Sequence, residues 1–354
     1  MRRRRPVPLL LLFLLLAASA AYALLSSFSA EREYQALVHT LGSGDGARVL
    51  ESRYSRGWLT SKAYTSIESE GVPGVLFGRV ITALGAVEMR PRVGIHMTHE
   101  IEHGVVPLFL WAWNGFEGLP VLARMHSKIE IDQEAQLALA EVLGNLPAVD
   151  AETVIRTAGQ AVTTFSMPAD LLRSRGGAIE RDGRWLGLDG ELTFSGGFRQ
   201  VIGFVHSPGF ESRGEQRIFK VSEVSWAFEL PAGELPLGHM NLDLGELIFD
   251  YTTAGATAVE LEDLDFDGES KAISGGFGAT LKVSLRSLRL GDDRWGPGSV
   301  KAAVANVDGQ GFRKLRGAAV QLQTEGNGDP AKTAVMAANV LDECDVAAGR
   351  RARR

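Results

Sequence analysis

The chain has one cysteine, Cys344, in 354 residues. This excludes an internal disulfide framework and any zinc site built from cysteine pairs. Proline is scarce at 13, so neither a collagen-like repeat nor a proline-rich linker is present. Charge is missing from one place above all: no acidic or basic residue lies between Arg5 and Glu31. Elsewhere acids outnumber bases. The formal net charge is −6, and setting aside Arg2–Arg5 and the four arginines at 350, 351, 353 and 354 leaves 29 basic against 43 acidic residues, a balance of −14. A body that acidic has no electrostatic reason to seek nucleic acid, so no nucleic-acid partner is expected.

What is present is an ordinary globular composition, 45% hydrophobic and 23% charged, with an excess of glycine (41 residues). The uncharged run Val7–Leu25 holds 19 residues. As a helix it would extend about 28 Å, close to the ~30 Å core of a bilayer. Four arginines before it and none directly after orient its N-terminus to the cytoplasm. Residues 1–28 are therefore expected to be an inner-membrane signal anchor, the body lying in a Gram-negative periplasm. A cleaved signal peptide is the competing possibility, since Ala18-Ser19-Ala20 and Ala21-Tyr22-Ala23 both offer small-residue cleavage patterns.

The body, 29–345, reads as mainly β with a few short helices (α+β), and a long curved antiparallel sheet is expected. It could comprise two lobes divided near residue 180. Residues 346–354 form a basic tail expected to be disordered. Helical spacing is found at Ala30–Leu41, stopped by Gly42, Gly44 and Gly46, at Gln133–Leu143, and more weakly at Gly311–Ala318 and Ala331–Asp342. Val121, Ala123, Met125, Ser127, Ile129 and Ile131 alternate with polar neighbours, the period of a half-buried strand. Val224, Trp226, Phe228 and Leu230 do the same, as do Phe277 to Leu285, after which Leu288 and Leu290 change phase and imply a bulge near Arg286–Ser287. Arg56-Gly57-Trp58 reads as a hairpin tip. Turns are expected at Asp182-Gly183, Gly196-Gly197, Pro208-Gly209 and Asp308-Gly309. Without alternating strands and helices, nucleotide-binding α/β folds are not expected.

His99-Glu100-Ile101-Glu102-His103 is a literal H-E-x-x-H. In zinc proteases a helix brings both histidines to one ion, with the glutamate as general base. Here the surroundings alternate with period two, and Gly104 and Pro107 follow. On a strand the two imidazoles would stand about 13 Å apart, too far to share an ion. No metal, cofactor or catalytic residue is assigned, and a zinc hydrolase is the least favoured function. Asp263-x-Asp265-x-Asp267-Gly268 imitates the start of a calcium loop, but Ser270 and Ser274 stand where that loop needs an apolar residue and a glutamate. It reads as a solvated turn. Gly275-Gly276-Phe277-Gly278 lacks the Lys-Ser/Thr of a phosphate loop and reads as a turn into a strand. The six tryptophans are expected in the core or in strand pairs. Trp111-Ala112-Trp113, close behind Pro107–Leu110, is the one apolar patch where a membrane or partner contact is worth considering.

Tyr54-Ser55-Arg56-Gly57-Trp58-Leu59-Thr60-Ser61 and Ile101-Glu102-His103-Gly104, together with the run before them, resemble the YdgA-like proteins, a family of bacterial inner-membrane-anchored periplasmic proteins classed as a domain of unknown function. Leu59 and Thr60 depart from that family's aromatic and serine, and Val105 replaces its proline. Arg184–Gly190, Ser207-Pro208-Gly209-Phe210 and Asn306-Val307-Asp308 resemble later segments. The resemblance spans most of residues 5 to 345 and implies a C-terminus shorter than usual. It implies no catalytic residues or ligand. The expected role is a non-enzymatic one in the envelope, with a lipid or envelope protein as partner. The alternative is a carrier holding a lipid or other apolar ligand in a groove of the curved sheet.

Overall fold

The computed structural model describes residues 22–39, 47–69, 93–113, 115, 120–133, 135–137, 148–157, 159–173, 182–197, 199–214, 217–231, 237–251, 258–273 and 276–307. The segment 7–21, most of 133–143, the two weak helical stretches after 310, Cys344 and the basic tail lie outside them. Among the described residues no helix is long and apolar enough to cross a membrane.

Among the described residues seventeen strands form one sheet. The first six are β1 (Ala47–Ser55), β2 (Thr60–Ser69), β3 (Val93–His103), β4 (Val121–Ile131), β5 (Val149–Arg156) and β6 (Gln160–Met167), each antiparallel to the one before. β6 continues onto β9 (Leu188–Ser195), and from there the sheet runs through β10 (Gln200–Gly214), β11 (Arg217–Pro231), β12 (Gly238–Tyr251), β13 (Val259–Ile273), β14 (Gly276–Leu285) and β17 (Gly298–Val307). The short pairs β7 (Asp170–Arg173) with β8 (Asp182–Trp185) and β15 (Ser287–Leu290) with β16 (Asp293–Trp295) extend the edges of β10 and β13. This thirteen-strand ladder spans about 58 Å at ~4.8 Å per strand. It is unbroken across residue 180, because Ala161 pairs with Phe194.

The register carries one apolar face along the ladder. Tyr54 pairs with Ala63, Ala63 with His99, Ile101 with Met125, Ala123 with Ile155, Ile155 with Ala161 and Ala161 with Phe194. Beyond Phe194 the same face continues through Val201, Leu230 and, four residues along β11, Trp226–Leu242–Phe266–Val283–Val300. Over the first six strands a helix covers it. α1 (22–39) buries Ala23, Ser27, Ala30, Tyr34 and Val38, a spacing of three or four that forms one stripe. The core joins Ala30, Tyr34 and Val38 to Ala63, Ile101, Ala123, Met125, Ile155 and Ala161. The expected start of this helix at Ala30 is therefore too late, because residues 22–29 are already helical.

Three further expectations are corrected. Helix α2 (Val105–Trp113) begins directly after Gly104, where the sequence suggested only an apolar patch. Pro107 lies in its first turn, where its missing N–H breaks no helical hydrogen bond. Pro208-Gly209 and Asp182-Gly183 are strand interior and strand start, not turns. The Asp263–Asp267 stretch lies inside β13 and is no turn.

Pro208-Gly209 and Asp263–Asp267 depart from expectation for a common reason. Ser222 pairs with Gly209, Glu223 stands opposite Gly245, and Gly245 opposite Asp263, so these residues form one row across the sheet. Gly209, Glu223 and Asp263 adopt positive φ of 125°, 52° and 47°. A left-handed residue interrupts the alternation of the pleat. The apolar phase changes at this row in each strand: Trp226 and Val224 give way to Val221 and Phe219, and Leu242 and Leu244 to Leu247 and Phe249. The phase change expected near Arg286–Ser287 lies on the same row, with Arg286 donating its N–H to the Glu262 carbonyl between β14 and β15. At Gly209 a Cβ would fall 2.0 Å from the Val221 carbonyl oxygen, so only glycine fits.

Candidate functional site

The H-E-x-x-H residues occupy the last turns of the pleat of β3, extended as expected. Alternation sends His99, Ile101 and His103 under α1 and leaves Glu100 and Glu102 on the opposite face. Neither glutamate of the motif therefore lies beside these imidazoles. Each histidine has its own serine. His99 Nδ1 lies 2.7 Å from Ser127 Oγ on β4, and Tyr34 of α1 meets the ring edge-on with centroids 5.6 Å apart. His103 Nε2 lies 2.9 Å from Ser61 Oγ on β2. Burial holds both imidazoles neutral, with the His99 pKa pushed down to about 4 and that of His103 lowered. Among the described residues no group of three metal-ligating side chains converges.

Around His103 two sequence segments meet. The Gly57 N–H donates to Ser61 Oγ at 3.2 Å, and the His103 N–H donates to the Leu59 carbonyl at 2.9 Å. Ser61 Oγ thus joins the Gly57 N–H of the hairpin tip to the His103 ring at the end of β3. Gly57 must be glycine, because a Cβ would fall 1.9 Å from the Thr60 carbonyl oxygen. Tyr54–Ser61 and Ile101–Gly104, the two segments that carry the family resemblance, thus form one clasp between the β1–β2 hairpin tip and the end of β3. A serine–histidine pair is the beginning of a nucleophilic site. Here, however, Ser61 is 1% exposed and His103 0%, both under α1. Among the described residues the pair is closed off from solvent. Among the described residues the buried His103 Nδ1 has no hydrogen-bond partner, so the clasp carries one unsatisfied polar atom that a buried water would fill.

The opposite face of the first six strands holds a shallow cleft of about 630 Å³, with Lys62, Glu100, His126, Lys128, Asp150 and Glu152 among its walls. The register sets Lys62 opposite Glu100 and Lys128 opposite Asp150, with His126 between Glu100 and Glu152. Such pairs neutralise each other across strands and keep the face wet. A second, smaller cleft of about 380 Å³ lies over the row of phase change, between His206, Glu223, Asp243, Asp263 and Asp265. Arg286 pairs with Asp263 at 2.5 Å there.

The apolar face beyond β6 is different. None of Leu192, Val201, Val224, Phe228, Met240, Leu242, Leu264, Phe266, Leu281 and Val283 is buried, and Trp226 and Val300 are exposed. Of the two places expected for the six tryptophans, the core holds none, whereas Trp185, Trp226 and Trp295 stand in strand pairs. Trp58, Trp113, Trp226 and Trp295 are exposed and Trp111 and Trp185 half-buried. The serines that satisfy the histidines were not singled out from the sequence. Their signal was a hydroxyl at an inward position of an alternating strand, such as Ser127 between Met125 and Ile129.

Residues 5–345 match the model of a family described as "Bacterial protein of unknown function (DUF945)", and the chain belongs to that family. Comparison with curated proteins and with solved structures gives no match.

Proposed function

We propose that this member of the family is an anchored protein of the bacterial envelope that works by binding and not by catalysis, with residues 7–25 in the inner membrane and the sheet on the periplasmic side. The observation that carries this reading is the junction between run and body. The uncharged run continues into α1 without a break in helical residues from 22 onward, and Ala23, inside the run, is buried against Gly104. Cleavage after Ala23 would remove that contact, which favours an uncleaved anchor. The likeness of Tyr54–Ser61 and Ile101–Gly104 to YdgA-like proteins supports the same compartment.

The full chain produced in a Gram-negative host tests this. It should stay with the inner membrane through alkaline carbonate extraction, and its body should become protease-sensitive once the outer membrane is permeabilised. Recovery in the cytosol would overturn the reading. A soluble periplasmic form whose N-terminus follows Ala20 would overturn the anchor alone.

One observation favours the second reading, a carrier of lipid or another apolar ligand. The apolar face from Phe194 to Val300 is continuous with the core face yet lies open among the described residues. Exposed apolar surface of that extent marks a binding face. Native mass spectrometry of the detergent-extracted protein should then show bound lipid, displaced in a Trp226→Asp/Leu242→Asp double variant.

A further inference from the structure

Near the start of α1 the molecule has a second apolar surface, unconnected with the sheet face. Helix α2 has the sequence VVPLFLWAW, without one charged residue. Its exposed residues are Val106, Phe109 (62%) and Trp113 (78%), spaced i, i+3 and i+7 and so forming one stripe, with the Phe109 and Trp113 rings 5.9 Å apart. A helix stripe facing solvent is ordinarily polar. The hairpin tip adds Trp58 (64%) and Leu59, and the first two turns of α1 add Leu24, Leu25 (66%) and Phe28. These three elements are in contact. A Cβ on Gly104, the residue before α2, would lie 3.2 Å from Ala23 of α1 and 3.4 Å from Leu59. Ser27 of α1 donates to the Gly57 carbonyl at 3.3 Å, and the Arg56 guanidinium lies 3.9 Å above the Phe28 ring.

We infer that this surface is a seat for a lipid bilayer, which holds the body against the membrane beside the anchor. The continuity of the chain selects the occupant. Residues 7–25 are uncharged, and the last of them, Leu24 and Leu25, belong to the exposed surface itself. A run crossing the bilayer therefore delivers Trp58, Phe109 and Trp113 to the interface, the depth where tryptophan is favoured. Arg56 stands at the rim, its carboxylate partner Glu31 one turn further along α1, within reach of lipid phosphates. Free helices of this kind lie in the interfacial plane with their apolar side immersed about 5–10 Å. The inference rests on the anchor reading, since without the run in a bilayer the surface has no neighbour of this chemistry.

The test uses the full chain with Cys344→Ser, reconstituted in phosphatidylethanolamine–phosphatidylglycerol vesicles and spin-labelled singly at Phe109→Cys, Trp113→Cys or, as control, the exposed Lys271→Cys. The labels at 109 and 113 should collide with oxygen several-fold more, relative to a water-soluble nickel reagent, than the label at 271. Vesicle flotation separates the two readings. A chain that floats while labels 109 and 113 read water overturns the seat and leaves the anchor standing, and a chain that does not float overturns both. Protection of those labels that appears in lipid-free detergent and rises with protein concentration marks a second copy of the chain as occupant and also overturns the seat.

Discussion

Two stretches of the same sheet contrast sharply. In β2 to β6 the apolar positions lie beneath α1, where Ile101 and Ala123 are 0% exposed and Ile155 is 1%. In β12 the positions of equal character, Met240, Leu242 and Leu244, are all half-buried, and so is every other residue from 241 to 250. The alternation that builds the strands is alike in both. What differs is the second layer. A sheet face becomes a core only when another element covers it, and among the described residues only the first stretch has that cover.

The largest expected effect is therefore on stability. Ile101→Ala should lower the unfolding free energy by about 3–4 kcal/mol, the cost of a cavity in a packed site. Leu242→Ala should cost about 1 kcal/mol, since its neighbours are already half open. Denaturant melts of the two variants compare them, and equal losses would show that something covers β12 in solution.

The next effect depends on pH. The folded pKa of His99, about 4, lies below its ordinary 6.5 because burial penalises the charged ring. The neutral histidine thus contributes its full stabilisation above pH 6.5, and that contribution falls away as the pH drops towards 4. His103 acts in the same direction. Denaturant melts between pH 7 and 4 should show a decline of roughly 2–3 kcal/mol, since each tenfold loss of proton affinity on folding is worth ~1.4 kcal/mol. In His99→Gln the decline should be visibly shallower.

The smallest effect distinguishes two glycines. The half-buried Phe228 ring, 4.6 Å from that of Trp226, lies over Gly203, where a Cβ would fall 2.2 Å from its Cζ, and the far end of a side chain can give way. Gly203→Ala should cost about 1 kcal/mol. Gly190, beside β6, faces the Phe165 ring at 2.3 Å and also the Phe204 carbonyl oxygen at 2.6 Å. Backbone cannot move aside, so Gly190→Ala should lower the thermal midpoint by more than Gly203→Ala.

The strands were legible because period-two alternation is local. Val121–Ile131, the Arg56-Gly57-Trp58 tip and the break at Arg286 all follow from it. Glycine dipeptides were legible only where the chain turns: Gly196-Gly197 joins β9 to β10, whereas Pro208-Gly209 passes through a strand. The phase row at Gly209, Glu223 and Asp263 escaped because each member looks like a turn by itself. It becomes a row only when the register aligns them. Helix α2 escaped for a related reason, since VVPLFLWAW has no polar side to give it a period.

From the residues alone came a β-rich body, an extended His99–His103 segment and an uncharged run fit to cross a bilayer, all properties of neighbours in sequence. Folding in three dimensions decided which stretch of the apolar face α1 would cover, that Ser61 and Ser127 would each take one imidazole, and that Leu25, Trp58 and Trp113 would share one end of the molecule. Those outcomes depend on contacts between positions tens of residues apart, and no local period encodes such a distance.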